Sequence, residues 1–310
     1  MPHLWLLSLV VAATGVAPVQ QSLPSYELGM PAAVAWTAPH VAPITDHDSL
    51  ARGAQTSDPS AFQHADSSLA QHPPLFTRRD RWLAGAFAVA TVAVMPFDQP
   101  ITEEFRDPWP QQRAVLHHLA DGFNFIGSPG VLFGSVAAYG IGRVTGSRRV
   151  AAMGLYGTEA IVVSGAVTGL IKGIAGRARP YLNDNDPDSF VLDRGFHGGD
   201  SSFPSGHATA AFAAAAVVSG ESARWWPNAT RFITPAAYGG ATLVALARIY
   251  SNKHWASDVI MGAGIGTLTG LAVVHFNAAH PHNLLNRWLL GASIAPETNG
   301  ALIMWTIPTQ

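Results

Sequence analysis

Residues 203–218 read FPSGHATAAFAAAAVV, a short polar motif followed at once by an uncharged apolar run. The run shows none of the alternation expected of a half-buried strand, so it predicts a helix. Ser205 suits the N-cap position, beyond which the first backbone N–H groups of a helix have no internal partner. Gly206 would let the backbone approach a ligand closely, and His207 could transfer a proton. The stretch therefore predicts an anion-binding helix start, although an ordinary capped helix beside an incidental histidine is an open alternative.

Apolar segments of this kind recur through most of the chain. They are rich in alanine, glycine, valine and leucine, and small residues at such density let helices pack closely, as in membrane bundles. The predicted core helices lie at 82–97, about 129–145, 150–171, 208–219, 232–249 and 257–276. The polar stretch between the first two predicts a short surface or interfacial helix at about 111–122. We therefore predict an all-α fold, a helical bundle of about six core helices.

The two ends of the chain differ from this central region. The predicted regions are a signal peptide or N-terminal anchor at 1–19, a polar, disordered leader at 20–78, the helical domain at 79–282 and a C-terminal tail at 283–310. In the tail, Asn299-Gly300 lies between two β-prone runs. This dipeptide predicts a small β-hairpin, and an extended tail is the alternative.

Composition excludes several kinds of site. The 310 residues include no cysteine, which excludes disulfides, zinc sites with thiolate ligands and cysteine nucleophiles. A net charge of −2 gives no sign of a nucleic-acid partner. Charged residues make up 12% of the chain, against about 25% in an average soluble domain. This low share favours helices that are buried in a membrane or in similarly apolar surroundings.

A first charged cluster reads KGIAGRARP at 172–180 and follows a predicted apolar helix. Lys172 and Arg179 are seven residues apart, two helical turns, so we predict that they share one helix face. Two cations there would attract an anion, since arginine grips phosphate oxygens as a fork and lysine adds a point charge. A basic helix end, favoured by the helix dipole or by a membrane interface, is the alternative.

A second charged cluster reads RIYSNKHWASD at 248–258. His254 and Asp258 are four residues apart and, on a helix, would lie on one face. A carboxylate bonded to one ring N–H raises the basicity of the other nitrogen, which suits a nucleophilic imidazole. Taken alone, the pair could equally be a structural contact at a helix start. Together, the three motifs supply the positioning and charge neutralisation that phosphoryl transfer requires.

The pattern K-x6-RP, then PSGH, then R-x5-H-x3-D resembles the motifs of the type 2 phosphatidic acid phosphatase/vanadium haloperoxidase superfamily. The resemblance extends over about residues 80–280, and its specific motifs lie within 172–258. In the superfamily the third motif usually begins Ser-Arg, whereas this chain has Ala247-Arg248. Because that serine is not the catalytic group, the resemblance implies that activity survives the difference, with altered hydrogen bonding to phosphate.

The resemblance implies a bacterial phosphatase that needs no metal and passes through a phosphohistidine. His254 would be the nucleophile, oriented by Asp258. His207 would protonate the leaving oxygen and then activate the water that hydrolyses the intermediate. The implied phosphate ligands are Lys172, Arg179, Ser205, the N–H of Gly206, and Arg248.

Several functions remain open for such a pocket. The implied substrate is a phosphate monoester or diphosphate, either lipid-linked or a small phosphoester, with no cofactor and no nucleic acid involved. One alternative is a vanadate-dependent haloperoxidase, which would require vanadate. The other is a non-catalytic envelope protein that binds phosphate or lipid. The apolar helices favour the phosphatase over the haloperoxidase, and the complete set of catalytic residues argues against the binding protein.

Basic residues bear on where the motifs face. Arginines cluster before the first predicted helix, at 78, 79 and 81, and between the second and third, at 143, 148 and 149. The positive-inside rule places both clusters in the cytoplasm. The motifs would then face the periplasm from the inner membrane, whereas export of the leader by a signal peptide would reverse this orientation. A soluble periplasmic protein is the alternative, since 208–219 is short for a membrane span.

Overall fold

The computed structural model describes residues 74–182, 186–197, 201–297 and 300–305, with side chains as far as residue 291. The predicted signal peptide or anchor at 1–19 lies outside the described residues. The same is true of the predicted leader at 20–78, apart from its last few positions. Both regions stay predictions.

Nine α-helices make up most of the described chain. In order they are α1 Arg78–Val94, α2 Asp98–Arg106, α3 Pro108–Gln111, α4 Ala114–Phe125, α5 Val131–Val144, α6 Arg148–Ala175, α7 Gly206–Trp225, α8 Pro227–Tyr250 and α9 Ala256–Ala279. Short 3-10 or π turns occur at Met95–Phe97, Ile126–Gly130, Arg194–His197 and Asn286–Leu290. Two strands follow, β1 Ala292–Glu297 and β2 Gly300–Trp305. The predicted all-α class is confirmed.

The predicted segments match these elements with modest changes in length. Each of the six predicted core segments corresponds to one of α1 and α5–α9, and the predicted surface helix corresponds to α4. α7 runs on to Trp225 and is longer than the predicted 208–219. β1 and β2 pair antiparallel with Ala292 opposite Trp305, as the hairpin prediction requires, while Asn299 lies outside the described residues.

Small residues bring α7 and α9 into close contact. Gly262, Gly266 and Gly270 recur one turn apart along the face of α9 that meets α7. A Cβ added at Gly266 would lie 2.2 Å from the carbonyl oxygen of Thr209. One added at Gly262 would lie 2.5 Å from the carbonyl oxygen of Ser205. Only glycine permits this approach, and it brings the start of α7 beside the start of α9.

The long helices α6–α9 run alternately up and down, so the bundle has two distinct ends. The motif end contains the C-termini of α6 and α8 and the N-termini of α7 and α9. α1 also finishes there, since Asp98 at the start of α2 accepts a hydrogen bond from the backbone N–H of Ser257 at 2.8 Å. The opposite end contains the N-terminus of α1, where Asp80 lies 3.7 Å from His275 near the end of α9.

Five helical segments of the described chain are long and apolar enough to cross a membrane. They are Arg78–Arg106, Ala114–Val144, Arg148–Ala175, Pro227–Tyr250 and Ala256–Ala279. α7 is not among them, although it packs against four of these segments in the middle of the bundle. Large apolar side chains stay exposed on the outer helices, for instance Val89 at 70% and Phe133 at 63%, as expected of surfaces that face lipid.

Candidate active site

The basic motif lies partly on a helix and partly on the loop that follows it. α6 ends at Ala175 because Gly176 adopts the left-handed conformation, with φ of 53°. Arg179 therefore lies beyond the helix, and the prediction that it shares a helix face with Lys172 is wrong. The ammonium of Lys172 donates to the carbonyl oxygens of Ser201 and Ser202 at 2.8 and 3.2 Å. These bonds tie the end of α6 to the segment that leads into α7.

Ser205 occupies the N-cap position of α7 but does not cap it with its side chain. The residue is fully buried, and its hydroxyl has no hydrogen-bond partner in the part of the chain that the structure describes. Its backbone N–H donates to the carbonyl oxygen of Asp258 at 3.0 Å, which joins the starts of α7 and α9. The hydroxyl is thus available to a ligand, and the first N–H groups of a helix have no partner within that helix. The anion site itself stays a prediction.

His254 and Asp258 meet in a different way from that predicted. His254 lies in the turn before α9, so the two residues do not share a helix face, and that prediction is wrong. Asp258 is in the first turn of α9 and reaches back, accepting the Trp255 N–H at 2.9 Å. Its carboxylate lies 3.5 Å from Nδ1 of His254, which leaves Nε2 as the nitrogen able to act as a nucleophile. The carboxylate of Asp258 thus comes close to His254 because it reaches back to the start of α9.

Two buried residues that the sequence analysis did not assign hold Asp258 in place. Arg177 is fully buried and donates to Asp258 at 2.6 Å and to Asp98 at 2.7 Å. Its guanidinium lies between the rings of Phe190 and Trp255, at 5.0 and 5.5 Å from their centroids. Arg177 belongs to the quoted basic motif and could have been considered. No sequence pattern around Asp98 indicated its role, because the contact joins residues 79 positions apart.

Unpaired donors converge at the motif end. Arg248 donates through one terminal nitrogen to Asn124 at 2.9 Å. Its Nε, the Nε of Arg179 and the hydroxyl of Ser205 are shielded from solvent and have no hydrogen-bond partner among the described residues. Buried donors are almost always paired, so such a cluster calls for an acceptor. A tetrahedral oxyanion supplies several acceptors at once and would also neutralise the two guanidinium groups.

The structure brings every predicted site residue to the motif end. Lys172, Arg179, Arg248 and His254 all lie close enough to act electrostatically on His207. We use the name phosphate cradle for the residues that the sequence analysis predicts as phosphate ligands, namely Lys172, Arg179, Ser205, Gly206 and Arg248. Within the described residues, no group of three or more His, Asp or Glu side chains is arranged to hold a metal ion.

Both imidazoles have a lowered pKa. Burial lowers the pKa of His254 to about 4, and the neighbouring Asp258 acts in the opposite direction without offsetting it. Burial and then the charge of Arg248 lower the pKa of His207 to about 3. Both rings are therefore neutral at neutral pH. A neutral ring is the state that a nucleophile needs, whereas a general acid must first gain a proton.

Ala247, the position that departs from the resemblance, does not face the cradle. Its side chain is buried in an apolar cluster with Ala120 and Tyr250, where α8 packs on α4. A serine hydroxyl there would be placed in apolar surroundings. The altered phosphate hydrogen bonding that was expected from Ala247 has no basis in this geometry.

We expect Gly127→Ala to lower kcat about 10- to 100-fold, because small displacements of a catalytic group have effects of this size. A Cβ at position 127 would lie 2.4 Å from Val244 and 3.4 Å from the ring and Cβ of His207. The segment would have to move against His207. Steady-state kinetics on a soluble phosphomonoester measures the effect, with Gly122→Ala, where an added Cβ meets nothing within 4 Å, as the matched control. Equal kcat for the two variants would contradict this account of how His207 is positioned.

Comparisons with known proteins agree with this architecture. The sequence profile of the PAP2 superfamily matches residues 154–281. A lipid A 1-phosphatase from Rhizobium etli is 32% identical over 212 residues, which cover 63% of this chain and 82% of that protein. The chain belongs to the PAP2 superfamily. A lipid A 1-phosphatase from Rhizobium johnstonii is 31% identical over 213 residues, covering 63% of this chain and 78% of the relative.

Two further likenesses are more limited. A lipid A 1-phosphatase from Porphyromonas gingivalis is 39% identical over 70 residues, but these span 23% of this PAP2 chain and 15% of that protein. The crystal structure of a transmembrane PAP2-type phosphatidylglycerolphosphate phosphatase from Bacillus subtilis superposes with a TM-score of 0.50 at 21% identity. The superposition covers 65% of this chain and 97% of that one, and it shows the shared fold.

These findings confirm two predictions about this PAP2 protein. It is a phosphoric ester hydrolase of the PAP2 type, as its family and its relatives show. It is also a membrane protein, since five helical segments of the described chain are long and apolar enough to span a bilayer.

Proposed function

We propose that this PAP2 protein hydrolyses a lipid-linked phosphate monoester or diphosphate through a phosphohistidine on His254. The observation that carries the proposal is the set of unpaired buried donors on Arg179, Arg248 and Ser205, which lie beside an imidazole oriented by Asp258. Phosphoryl transfer depends mainly on positioning and on charge neutralisation, and these side chains supply both.

The proposed reaction has two steps. In the first, Nε2 of His254 bonds to phosphorus while the bond to the leaving oxygen breaks, and His207 gives that oxygen a proton. In the second, His207, now neutral, takes a proton from a water molecule whose oxygen attacks phosphorus. The phosphorus–nitrogen bond breaks, and inorganic phosphate leaves. Throughout, Lys172, Arg179 and Arg248 stabilise the charge on the phosphoryl oxygens.

Relatives suggest which lipids to test. Two proteins that share most of their length with this chain are named lipid A 1-phosphatases, so we propose a phosphorylated glycolipid as the first substrate class. Purified protein in neutral detergent would be given lipid A 1-phosphate, phosphatidylglycerolphosphate, phosphatidic acid, a polyprenyl diphosphate and a soluble chromogenic phosphate. Release of phosphate that is inhibited by orthovanadate and resists EDTA is the expected result. Bromide oxidation with vanadate and peroxide, without phosphate release, would favour the haloperoxidase instead.

We further propose that the site faces the periplasm from the inner membrane. Nine of the basic residues in the described chain lie at the end opposite the motifs, namely Arg78, Arg79, Arg81, Arg143, Arg148, Arg149, Arg224, Arg231 and Arg287. The positive-inside rule assigns that end to the cytoplasm. Four of the eight basic residues at the motif end belong to the site or its support, Lys172, Arg177, Arg179 and Arg248. This orientation is the reverse of the one that export of residues 20–78 would produce.

The lack of cysteine allows a clean test of the orientation. Thr145→Cys places a thiol at the opposite end, and Leu192→Cys places one at the motif end, where Leu192 is 78% exposed. We expect a membrane-impermeant maleimide to label Leu192→Cys in spheroplasts, and Thr145→Cys only after the membrane is permeabilised. The reversed labelling pattern would refute the periplasmic site while leaving the phosphatase proposal untouched.

We expect binding of a dianion to be coupled to proton uptake by His207. Its pKa, about 3, is lowered partly by Arg248, Arg179 and Lys172, whose charge a bound dianion would offset. The ring would then gain the proton that a general acid requires. Calorimetry with sulfate, which stays dianionic, in two buffers of different ionisation enthalpy should show uptake of up to about one proton near pH 5–6. His207→Gln should abolish the uptake, and an unchanged value would contradict the role of His207.

A further inference from the structure

A cavity of about 600 Å³ lies between α1 and α8, with α7 and α9 at its base. Residues of all four helices line it, and the apolar side chains include Leu83, Phe87, Phe212, Ala216 and Leu271. α8 contributes Thr234 and the ring of Tyr238. α1 packs on α9 and leaves this gap before α8. Because α1, α8 and α9 belong to segments suited to spanning a bilayer, the cavity opens between helices at the level of the membrane.

This cavity is separate from the phosphate cradle. Toward the motif end, Val94, Ile101, Phe105 and Phe212 pack over a buried cluster that includes Ala208 and Ile249. Phe212 is thus both part of that packing and part of the cavity wall. Among the described residues, no member of the cradle lines the cavity. A chain lying in the cavity would therefore have its head at the opposite end of the bundle, away from the catalytic groups.

Charged groups surround the mouth of the cavity at that opposite end. Asp80 accepts the N–H and the hydroxyl of Thr77 at 2.7 and 2.8 Å and lies 3.7 Å from Nδ1 of His275. Its carboxylate is therefore engaged in the cap of α1. Arg79 lines the mouth and lies close enough to Tyr238 on the facing wall to act on its hydroxyl. The guanidinium of Arg79 thus lies at the mouth of the apolar cavity.

The adjoining surface of α1 matches a membrane boundary. Arg78 and Arg81 are exposed, and Trp82 beside them is 72% exposed. Tryptophan and arginine at the end of an apolar helix are typical of the headgroup layer. Arginines next to the bilayer attract anionic lipids, each contributing about 1 kcal/mol near the surface. The first turn of α1 therefore combines a position at the lipid headgroups with a concentration of positive charge.

We propose that this cavity binds one acyl chain of an anionic phospholipid from the leaflet at the basic end of the bundle. The phosphate of the headgroup would pair with Arg79, and Arg78 and Arg81 would add to the positive field. Apolar walls require an apolar occupant, and the basic mouth selects an anionic head. Such a lipid would fill the gap between α1 and α8 and stabilise α1 on the bundle. α1 leads directly to Asp98, the partner of Arg177 at the motif end.

Lipid-dependent melting and lipid retention would test this site. The full chain, purified in neutral detergent and stripped of lipid, is given dioleoyl phosphatidylglycerol or dioleoyl phosphatidylcholine. Phosphatidylglycerol is a phosphodiester, so the proposed phosphatase reaction does not consume it. We expect phosphatidylglycerol to raise the melting temperature and one molecule to be retained in native mass spectrometry, at concentrations where phosphatidylcholine does neither. No substrate is present, so the result is independent of the proposed function.

Two variants and two matched controls locate the binding. Arg79→Gln should raise the half-saturating concentration of phosphatidylglycerol about fivefold, as loss of one interfacial charge predicts. Leu83→Trp, which fills the cavity, should abolish retention of the lipid. Arg231→Gln changes another arginine at the same end, and Val89→Trp changes an exposed position on α1. Both control variants should bind the lipid as the unaltered chain does. Equal responses of the unaltered chain to both lipids would overturn the proposal. So would a wild-type response in both Arg79→Gln and Leu83→Trp. If Leu83→Trp fails to fold, the response of Arg79→Gln, which changes an exposed side chain, decides between the outcomes.

Discussion

His254→Gln is expected to lower turnover about 10⁴-fold or more while the protein keeps its fold, since loss of a catalytic nucleophile typically has effects of this size. Position 254 is only 3% exposed, and glutamine is a neutral polar side chain of similar length. It lacks the ring nitrogen that would bond to phosphorus. Phosphate release from a soluble phosphomonoester in detergent measures the loss, and the melting temperature reports the fold.

A trapping experiment distinguishes a nucleophilic role of His254 from other roles that this residue could have. Wild-type protein mixed with labelled substrate and quenched in alkali should retain label that is released by acid, the behaviour of a phosphohistidine. His254→Gln should retain none. His275→Gln, at the opposite end of α9, serves as the matched control and should be labelled normally. Label that persists in His254→Gln would assign the covalent step to another residue.

Arg177→Met is expected to destabilise the fold by about 3–5 kcal/mol, the usual effect of removing one partner from a buried ion pair. Asp98, Asp258 and Arg177 are each fully buried. Without the guanidinium, two buried carboxylates would be left close together with no cation between them. Denaturant unfolding in detergent, or the melting temperature, measures the loss. Arg113→Met, which replaces an exposed arginine near Trp109, is the matched control and should change stability little.

A second substitution tests whether the carboxylates left without a cation cause that loss of stability. Asp98→Asn in the Arg177→Met background removes one of the two unpaired carboxylates, so it should recover part of the stability. Turnover should stay low in both variants, because Asp258 has lost the arginine that holds it against His254. If the double variant is less stable than Arg177→Met, the carboxylate of Asp98 stabilises the fold through contacts other than Arg177. Full turnover in Arg177→Met would show that Asp258 needs no such support.

The same contacts explain how a membrane bundle can keep a reactive imidazole in one orientation. Asp258 receives hydrogen bonds from Ser202, the N–H of Trp255 and Arg177, and it faces His254. A carboxylate with so many partners has little freedom to rotate away. Arg177 in turn is fixed by Asp98 at the start of α2, the helix that follows α1. Orientation of the proposed nucleophile thus depends on packing of the first helix against the last, a link between the lipid-facing surface and the site.

Local patterns were sufficient for the helices but misleading about contacts across helix ends. The apolar segments predicted every core helix because burial and lipid exposure both demand apolar residues along the whole length of a span. Helical spacing predicted that Lys172 shares a helix face with Arg179, and that His254 shares one with Asp258. The residues of each pair do lie near each other, but not on one helix. Gly176 ends α6 before Arg179, and α9 begins after His254. In both cases a break in the helix, not its periodicity, sets the geometry.

By itself the sequence determined the helical class, the order of the three motifs and the chemistry of the groups that they carry. Those properties are local: they follow from residue type and spacing within short stretches. Only the tertiary structure decided that Arg177 pairs with both Asp98 and Asp258, that Gly127 lies beside Val244 and His207, and that a cavity lies between α1 and α8. The ion pairs join residues 79 and 81 positions apart, and α1 and α8 on either side of the cavity are farther apart in sequence. No local pattern encodes which distant side chain will fill a given space.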